Sequence, residues 1–71
     1  MRMGERLTCI EFYGSVDPRE LLAAVDVPAD KARGHAIRIG RYLCQIRARD
    51  AVNAVLLDER GETLGRMMVT K

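Results

Sequence analysis

The sequence predicts a small α+β domain in which one helix packs on a mostly antiparallel four-stranded sheet, in the order β-α-β-β-β. Three observations lead to this prediction. Residues 6–14 are rich in strand-forming side chains, residues 16–21 combine the features of a helix start, and residues 36–49 alternate apolar and arginine positions ahead of a hairpin-like turn. A chain of 71 residues is long enough for one such domain, so we expect residues 1–71 to form it alone.

The first strand is predicted over residues 6–14, RLTCIEFYG. Thr, Ile, Phe and Tyr are good strand formers, and a glycine ends the run. Apolar side chains fall on both faces, because Leu7 and Cys9 alternate with Ile10 and Phe12. A strand of this kind is expected in the middle of the sheet or under a helix.

The helix is predicted to start at Asp17. Asp17 and Glu20 have the spacing of a capping box, in which each side chain accepts a hydrogen bond from the other residue's backbone N–H. Pro18 fills the first helical position, where its missing N–H costs nothing. The helix would end before Pro28, because the residue ahead of a proline disfavours helical backbone. Residues 26–35 then form a polar connection.

The second strand is predicted over residues 36–49, AIRIGRYLCQIRAR, where apolar and arginine positions alternate and the phase slips once. A bulge at Gly40 and Arg41 would bring the apolar side chains back to one face. The other face would then be lined by arginines, namely Arg38, Arg47 and Arg49, with Arg41 close by. This arginine-lined sheet face is the first candidate binding site.

The last part of the chain predicts a β-hairpin. The sequence DERG at residues 58–61 fits a type I turn followed by a left-handed glycine, which would join a strand over residues 52–58 to one over residues 63–70. A helix over residues 50–60 is the competing interpretation, since apolar positions there also share a helical face, and it gives the order β-α-β-α-β. The hairpin is favoured because its valine-rich flanks are typical of strands.

Enzymatic chemistry has no candidate in this sequence. His35 is the only histidine, which excludes a histidine-based metal cluster within one chain. Cys9 and Cys44 are isolated, without a CxxC pattern or a cationic neighbour placed to activate a thiol. The acidic residues are scattered among arginines, which is typical of surface ion pairs. We therefore expect no catalytic residue, no metal and no cofactor.

The sequence also predicts a soluble, cytoplasmic protein. No apolar run approaches the ~20 residues that span a bilayer. Residues 1–14 carry charge where a signal peptide needs its apolar segment. The two cysteines are expected to be buried free thiols, as in a reducing compartment.

The arginine-lined face has two interpretations. Ten of the twelve basic residues are arginine, which suits bidentate contacts with carboxylates and phosphates. These side chains would bind a partner, or they would pair with acidic residues across the sheet and keep it solvated. A net charge of only +2 and interleaved acidic residues favour a protein partner over nucleic acid. A sheet that reads RNA also needs exposed aromatic rings, for which Tyr13 is a candidate.

Adjacent methionines near the C-terminus indicate a contact surface. Met67 and Met68 lie on the last predicted strand, so they cannot both face the helix. Methionine adapts to irregular partners, and the one that points away is a candidate contact residue. The thin aliphatic core and the two apolar faces of the first strand suggest the same. We expect a homodimer formed through sheet edges or through the methionine-bearing strand.

Together these features predict a non-enzymatic interaction module that binds a protein partner, as a subunit, an adaptor or a phage-type inhibitor or regulator would. The alternative is an RNA- or DNA-binding domain that uses the arginine-lined sheet face. A small-molecule binder is least favoured, since one helix on one sheet leaves little room for a pocket. The candidate binding residues are Arg38, Arg41, Arg47, Arg49, Tyr13 and Met68.

Overall fold

One helix packs on one face of a four-stranded antiparallel sheet in the computed structural model, which describes residues 7–16 and 19–71. The elements are β1 (Leu7–Val16), β2 (Arg19–Pro28), a 3-10 turn (Ala29–Lys31), α1 (Ala32–Ile46), β3 (Ala51–Leu57) and β4 (Thr63–Thr70). The strand order across the sheet is β2-β1-β3-β4. Every neighbouring pair is antiparallel. The predicted fold class is confirmed, but the elements follow the order β-β-α-β-β.

Two of the predicted elements lie where the local signals put them. β1 is a central strand, as its two apolar faces predict. In the turn between β3 and β4, Asp58 Oδ1 accepts hydrogen bonds from the backbone N–H groups of Arg60 and Glu62, each at 2.8 Å. These bonds, above all the one from Glu62, lower the pKa of the Asp58 carboxyl. Gly61 has the left-handed φ of +86°. The hairpin is confirmed, and a helix over residues 50–60 is excluded.

The helix predicted from Asp17 is wrong, because Arg19–Pro28 forms β2. Asp17 and Pro18 themselves lie outside the described residues. Between residues 23 and 27, alternate side chains pack towards the core while those between them are exposed. A helix of two or three turns is marginal on its own, whereas pairing with β1 satisfies the backbone groups on one side of the strand and lets its apolar side chains pack in the core. Long-range pairing therefore overrides the local capping signal.

The strand predicted over residues 36–49 is also wrong, because Ala32–Ile46 forms α1. Its buried residues recur at intervals of three and four, at Ala32, Ala36, Gly40, Leu43 and Cys44. This is the spacing of an amphipathic helix, whose periodicity imitates alternation over a few residues and then slips. The break in alternation at Gly40, which predicted a bulge, arises because the apolar residues follow the 3.6-residue period of this helix.

The core between α1 and the sheet is aliphatic except for one aromatic ring. Phe12 of β1 and Val52 of β3 are among its fully buried side chains. The helix contributes small residues, so it lies close to the sheet: a Cβ atom built on Gly40 would lie 2.7 Å from the side chain of Val69 on β4. The Cys44 Sγ donates to the Val69 carbonyl oxygen at 3.6 Å. These contacts fix the helix over β4.

The helix ends in a Schellman motif that contains an alanine where glycine is usual. The Arg49 N–H donates to the Cys44 carbonyl oxygen at 2.9 Å, and the Ala48 N–H donates to the Gln45 carbonyl oxygen at 3.3 Å. Ala48 has a φ of 54°, the left-handed conformation that crowds a Cβ atom. The chain needs this turn because β3 begins only a few residues later.

Ala48→Gly should therefore raise the free energy of unfolding by about 0.5–1 kcal/mol, because glycine adopts the left-handed conformation without a steric penalty. Urea unfolding followed by circular dichroism would measure the change. Ala24→Gly, at an exposed position in β2, is the matched control and should lower stability instead. If both substitutions lowered stability equally, the left-handed conformation of Ala48 would be contradicted.

Candidate functional site

The structure places the predicted site residues on opposite sides of the sheet. Arg38 and Arg41 lie on the exposed side of α1, and Arg47 directly follows the helix. Tyr13 and Met68 lie on the other face of the sheet, since their strand neighbours Phe12 and Met67 pack in or against the core. The predicted arginine-lined sheet face is therefore wrong, because its arginines are on a helix. Two separate surfaces take its place.

The first surface is the exposed side of α1 together with the residue after it, called the helix surface below. Its exposed side chains are those of Arg33, Ile37, Arg38, Arg41, Tyr42, Gln45, Ile46 and Arg47. Side chains advance by about 100° per residue around a helix, so Arg38, Arg41 and Gln45 lie opposite the buried stripe. Ile37 and Tyr42 flank this outer ridge on opposite sides. The part of the helix furthest from the sheet is thus polar and basic.

Positive charge is concentrated in this part of the chain. Between residues 31 and 49 the sequence has six basic side chains and no acidic one. The rest of the chain has six basic and ten acidic side chains. The small net charge of +2 therefore results from a basic segment and an acidic remainder. Arg38 donates to His35 Nδ1 at 3.0 Å. Among the described residues, Arg33, Arg38, Arg41 and Arg47 form no salt bridge. In that part of the chain, no acidic group lies within salt-bridge distance of these four guanidinium groups.

Arg49 has a structural position between the two surfaces. Its Nη1 donates to the Gly14 carbonyl oxygen at 3.2 Å, and its Nη2 forms an ion pair with Glu20. Gly14 makes room for the guanidinium group, because a Cβ atom there would lie 2.8 Å from Arg49 Cζ. The Nε atom is buried without a hydrogen-bond partner. Arg49 therefore links the end of α1 to the β1–β2 hairpin.

The second surface is the sheet face that α1 does not cover, called the open face below. The register between strands defines it as Cys9, Glu11 and Tyr13 of β1, Leu21, Ala24 and Asp26 of β2, Asn53, Val55 and Leu57 of β3, and Arg66 and Met68 of β4. Leu21 and Met68 are each 56% exposed, whereas Val55 at the centre is only 7% exposed. The open face therefore has a buried valine at its centre, between the charged Glu11 and Arg66, and two large exposed apolar side chains at its margins.

Charged side chains on the open face are divided between its two halves. Glu11 and Asp26 lie on β1 and β2, and Arg66 lies on β4. The Tyr13 hydroxyl donates to Glu11 Oε1 at 2.7 Å. Burial raises the pKa of the Cys9 thiol, and the charges of Asp26 and Glu11 raise it further. This thiol is protonated at neutral pH, so it is a poor nucleophile.

The described residues contain no cluster of metal-ligating side chains. No three of their His, Cys, Asp and Glu side chains are grouped as metal ligands. Cys9 and Cys44 are both free, and the sheet separates them: Cys9 is on the open face, and Cys44 belongs to α1 and is buried on the opposite side of the sheet. Within the same part of the chain, no helix combines the length and apolar character that crossing a membrane requires.

The sequence does not predict two features of these surfaces, namely the position of Leu21 and the helix surface as a whole. Leu21 is expected inside a helix, whereas pairing with Tyr13 puts it on the open face. The helix surface is not predicted either, because residues 36–49 are predicted to form a strand. Two signals for the helix are nevertheless present in the sequence. Small residues recur every four positions at 32, 36, 40 and 44, and acidic residues are absent from 31 to 49.

The helix surface and the open face differ in the chemistry of their side chains. The helix surface is basic, whereas the open face combines exposed apolar side chains with charges of both signs, so the two surfaces suit different partners. No protein family, curated protein or solved structure matches this chain.

Proposed function

We propose that this chain is a non-enzymatic interaction module that binds a protein partner through the open face, and that this partner is a second copy of the chain. The proposal rests on the large apolar side chains that are exposed on the uncovered face of this two-layer fold. Leu21 and Met68 are more than half exposed there, around the buried Val55. Sheets of this kind bury their apolar face against another layer, and a second copy supplies that layer.

A second copy suits this face because of the strand order. Two sheets can face each other with a two-fold axis that runs parallel to the strands between β1 and β3. β2 of each copy then lies over β4 of the other. The rows of the sheet run from Leu21 through Tyr13 and Asn53 to Met68. Leu21 of one copy therefore comes opposite Met68 of the other, and this contact occurs twice.

The charges of the open face are complementary in the same arrangement. The next row runs from Ala24 through Glu11 and Val55 to Arg66. Arg66 of one copy therefore comes opposite Ala24 of the other copy. Ala24 lies beside Glu11 on β1 and two residues from Asp26 on β2, so the guanidinium group meets acidic side chains rather than another arginine. Partial desolvation strengthens such contacts relative to exposed ion pairs.

The size of the face predicts weak association. Four strands spaced about 4.8 Å apart, with about six residues in each, give a plane of roughly 400 Å2 per copy. Stable interfaces commonly bury about 800 Å2 per partner, so this contact lies at the small end of the range. We therefore expect a dimer that forms in the micromolar range of concentration.

Sedimentation between about 5 and about 500 μM tests the proposal. The average mass should rise from the 8.0 kDa monomer towards twice that value. Leu21→Asp and Met68→Asp should each leave a monomer across the range, because they bury a charge against the apolar face of the second copy. Leu64→Asp is the matched control: Leu64 is 63% exposed but lines the groove beside Ala32 on the helix side. It should associate like the unsubstituted chain.

Charge reversal checks the orientation of the two copies. Arg66→Asp should prevent association, because it places like charges opposite Glu11 and Asp26. Adding Asp26→Arg to the same chain should restore association. A monomer at every concentration would contradict the proposed partner, and so would equal loss of association in Leu64→Asp and Leu21→Asp.

The proposed module is cytoplasmic. This part of the proposal is supported by the two free thiols, one of them buried, which suit a reducing compartment.

A further inference from the structure

The helix surface carries a charge pattern that the open face does not explain. Its four exposed arginines lie in a segment without a single acidic residue, although the chain as a whole has ten. Like charges at neighbouring positions of a helix repel one another. Within the described residues, no acidic side chain relieves this repulsion by forming a salt bridge with Arg33, Arg38, Arg41 or Arg47. A polyanion would relieve it.

The dimensions of the surface match duplex DNA. α1 rises by about 1.5 Å per residue, so the basic side chains from Arg33 to Arg47 extend over about 21 Å. A helix with its side chains is about 10–12 Å wide, and the major groove of B-form DNA is about 12 Å wide. We propose that α1 binds double-stranded DNA, with its outer ridge in the major groove and its arginines on phosphates. This binding is separate from the proposed contact between copies, since it uses the opposite side of the sheet.

The position of the apolar side chains argues against an acidic protein on this surface. A protein that receives a helix in a groove needs apolar anchors along one line, at intervals of three and four residues. Tyr42 and Ile46 provide one such step on one flank of the helix, and Ile37 lies on the opposite flank, so no apolar line follows the outer ridge. The outer ridge between them carries Arg38, Arg41 and Gln45, which are donors suited to phosphates and to base edges.

Fluorescence anisotropy with a labelled DNA duplex of about 20 base pairs, or two helical turns, tests the proposal. Four phosphate contacts predict that log K falls with log salt with a slope of about −3.6. Affinity should therefore fall about 150-fold between about 50 mM and about 200 mM salt. Absence of binding at the lower salt concentration would overturn the proposal.

Matched substitutions test whether the arginines of α1 cause the salt dependence of binding, measured as the slope of log K against log salt. Arg41→Ala should reduce it by about 0.9, and Arg38→Ala with Arg41→Ala by about 1.8, which leaves only about a 12-fold loss over the same salt range. Arg60→Ala removes the same charge from the exposed β3–β4 turn and should leave the slope unchanged. Circular dichroism should show that all variants are folded. An equal effect of Arg41→Ala and Arg60→Ala would overturn the proposal, because it would mean that net charge alone drives binding.

Two competitors distinguish DNA from other polyanions. Polyglutamate at the same charge concentration should displace the duplex poorly, because it lacks the groove and the regular phosphates. Displacement equal to that by unlabelled duplex would overturn the proposal in favour of an acidic protein. Tighter binding of a single-stranded oligonucleotide of the same length would overturn the major-groove geometry.

Discussion

Phe12→Ala should lower the free energy of unfolding by about 3–5 kcal/mol, the largest loss expected from any single substitution in this chain. A domain of this length has a total stability of roughly 4–10 kcal/mol, so the substituted chain would be close to unfolded at room temperature. The measurement is urea unfolding followed by circular dichroism, in which the midpoint should fall by roughly 2 M or more.

The physical reason lies in the row of residues around the ring. Phe12 is fully buried at the centre of the sheet, and its direct neighbours on β2 and β3 are Ala23 and Ala54. Ala36 of the helix, which is also small, is fully buried in the same core cluster as Phe12. These residues make room for one large ring, and none of them can move far enough to fill the space that it leaves. The cavity therefore remains, and its cost adds to the lost burial.

Leu64→Ala is the control for Phe12→Ala, because it also removes a large apolar side chain. Leu64 is 63% exposed, so its removal should change stability by no more than about 0.5 kcal/mol. If Phe12→Ala also caused a loss of this small size, the ring would not be the centre of the core.

Much of the fold could be predicted from the sequence, but the position of the helix could not. β1 and the hairpin of β3 and β4 follow from local signals, namely strand-forming side chains and the turn residues Asp58 and Gly61. β2 carries a run of Leu, Ala and Val that is compatible with either helix or strand. Its state is decided by pairing with β1 and by the helix that covers it, and neither contact is visible in a local pattern.

The exposure of single side chains could be predicted from the sequence, but the surfaces that they form could not. The expectation that one of the two adjacent methionines points away from the helix is confirmed: Met67 packs against the core and Met68 is 56% exposed. The sequence pattern puts the arginines on a sheet face, where acidic residues across the strands would compensate their charges. On a helix that lacks acidic residues, the same side chains form one basic surface, which changes the expected partner of that surface from protein to nucleic acid.

Gly40→Ala should destabilise the fold by about 1–3 kcal/mol, although alanine is the better helix former. A Cβ atom at this position would lie 2.7–2.8 Å from the Cβ, Cγ1 and Cγ2 atoms of Val69. Both residues are buried, and Val69 is held in β4 by its pairing with Val52. The helix must therefore move away from the sheet, which opens the core around Cys44. Thermal or urea unfolding would measure the loss.

Gly34→Ala is the matched control, since Gly34 is exposed on the same helix and a Cβ atom there would meet nothing within 4 Å. It should raise stability by up to about 1 kcal/mol, because only helix propensity changes. A double-mutant cycle isolates the contact itself: Val69→Ala removes the Cγ1 and Cγ2 atoms and leaves only the Cβ contact, so Gly40→Ala should cost clearly less stability in that background. If Gly40→Ala stabilised the unsubstituted chain as much as Gly34→Ala does, the close approach of α1 to β4 would be wrong. The position of the basic helix surface depends on that approach, so this comparison also tests the placement of the proposed DNA-binding helix.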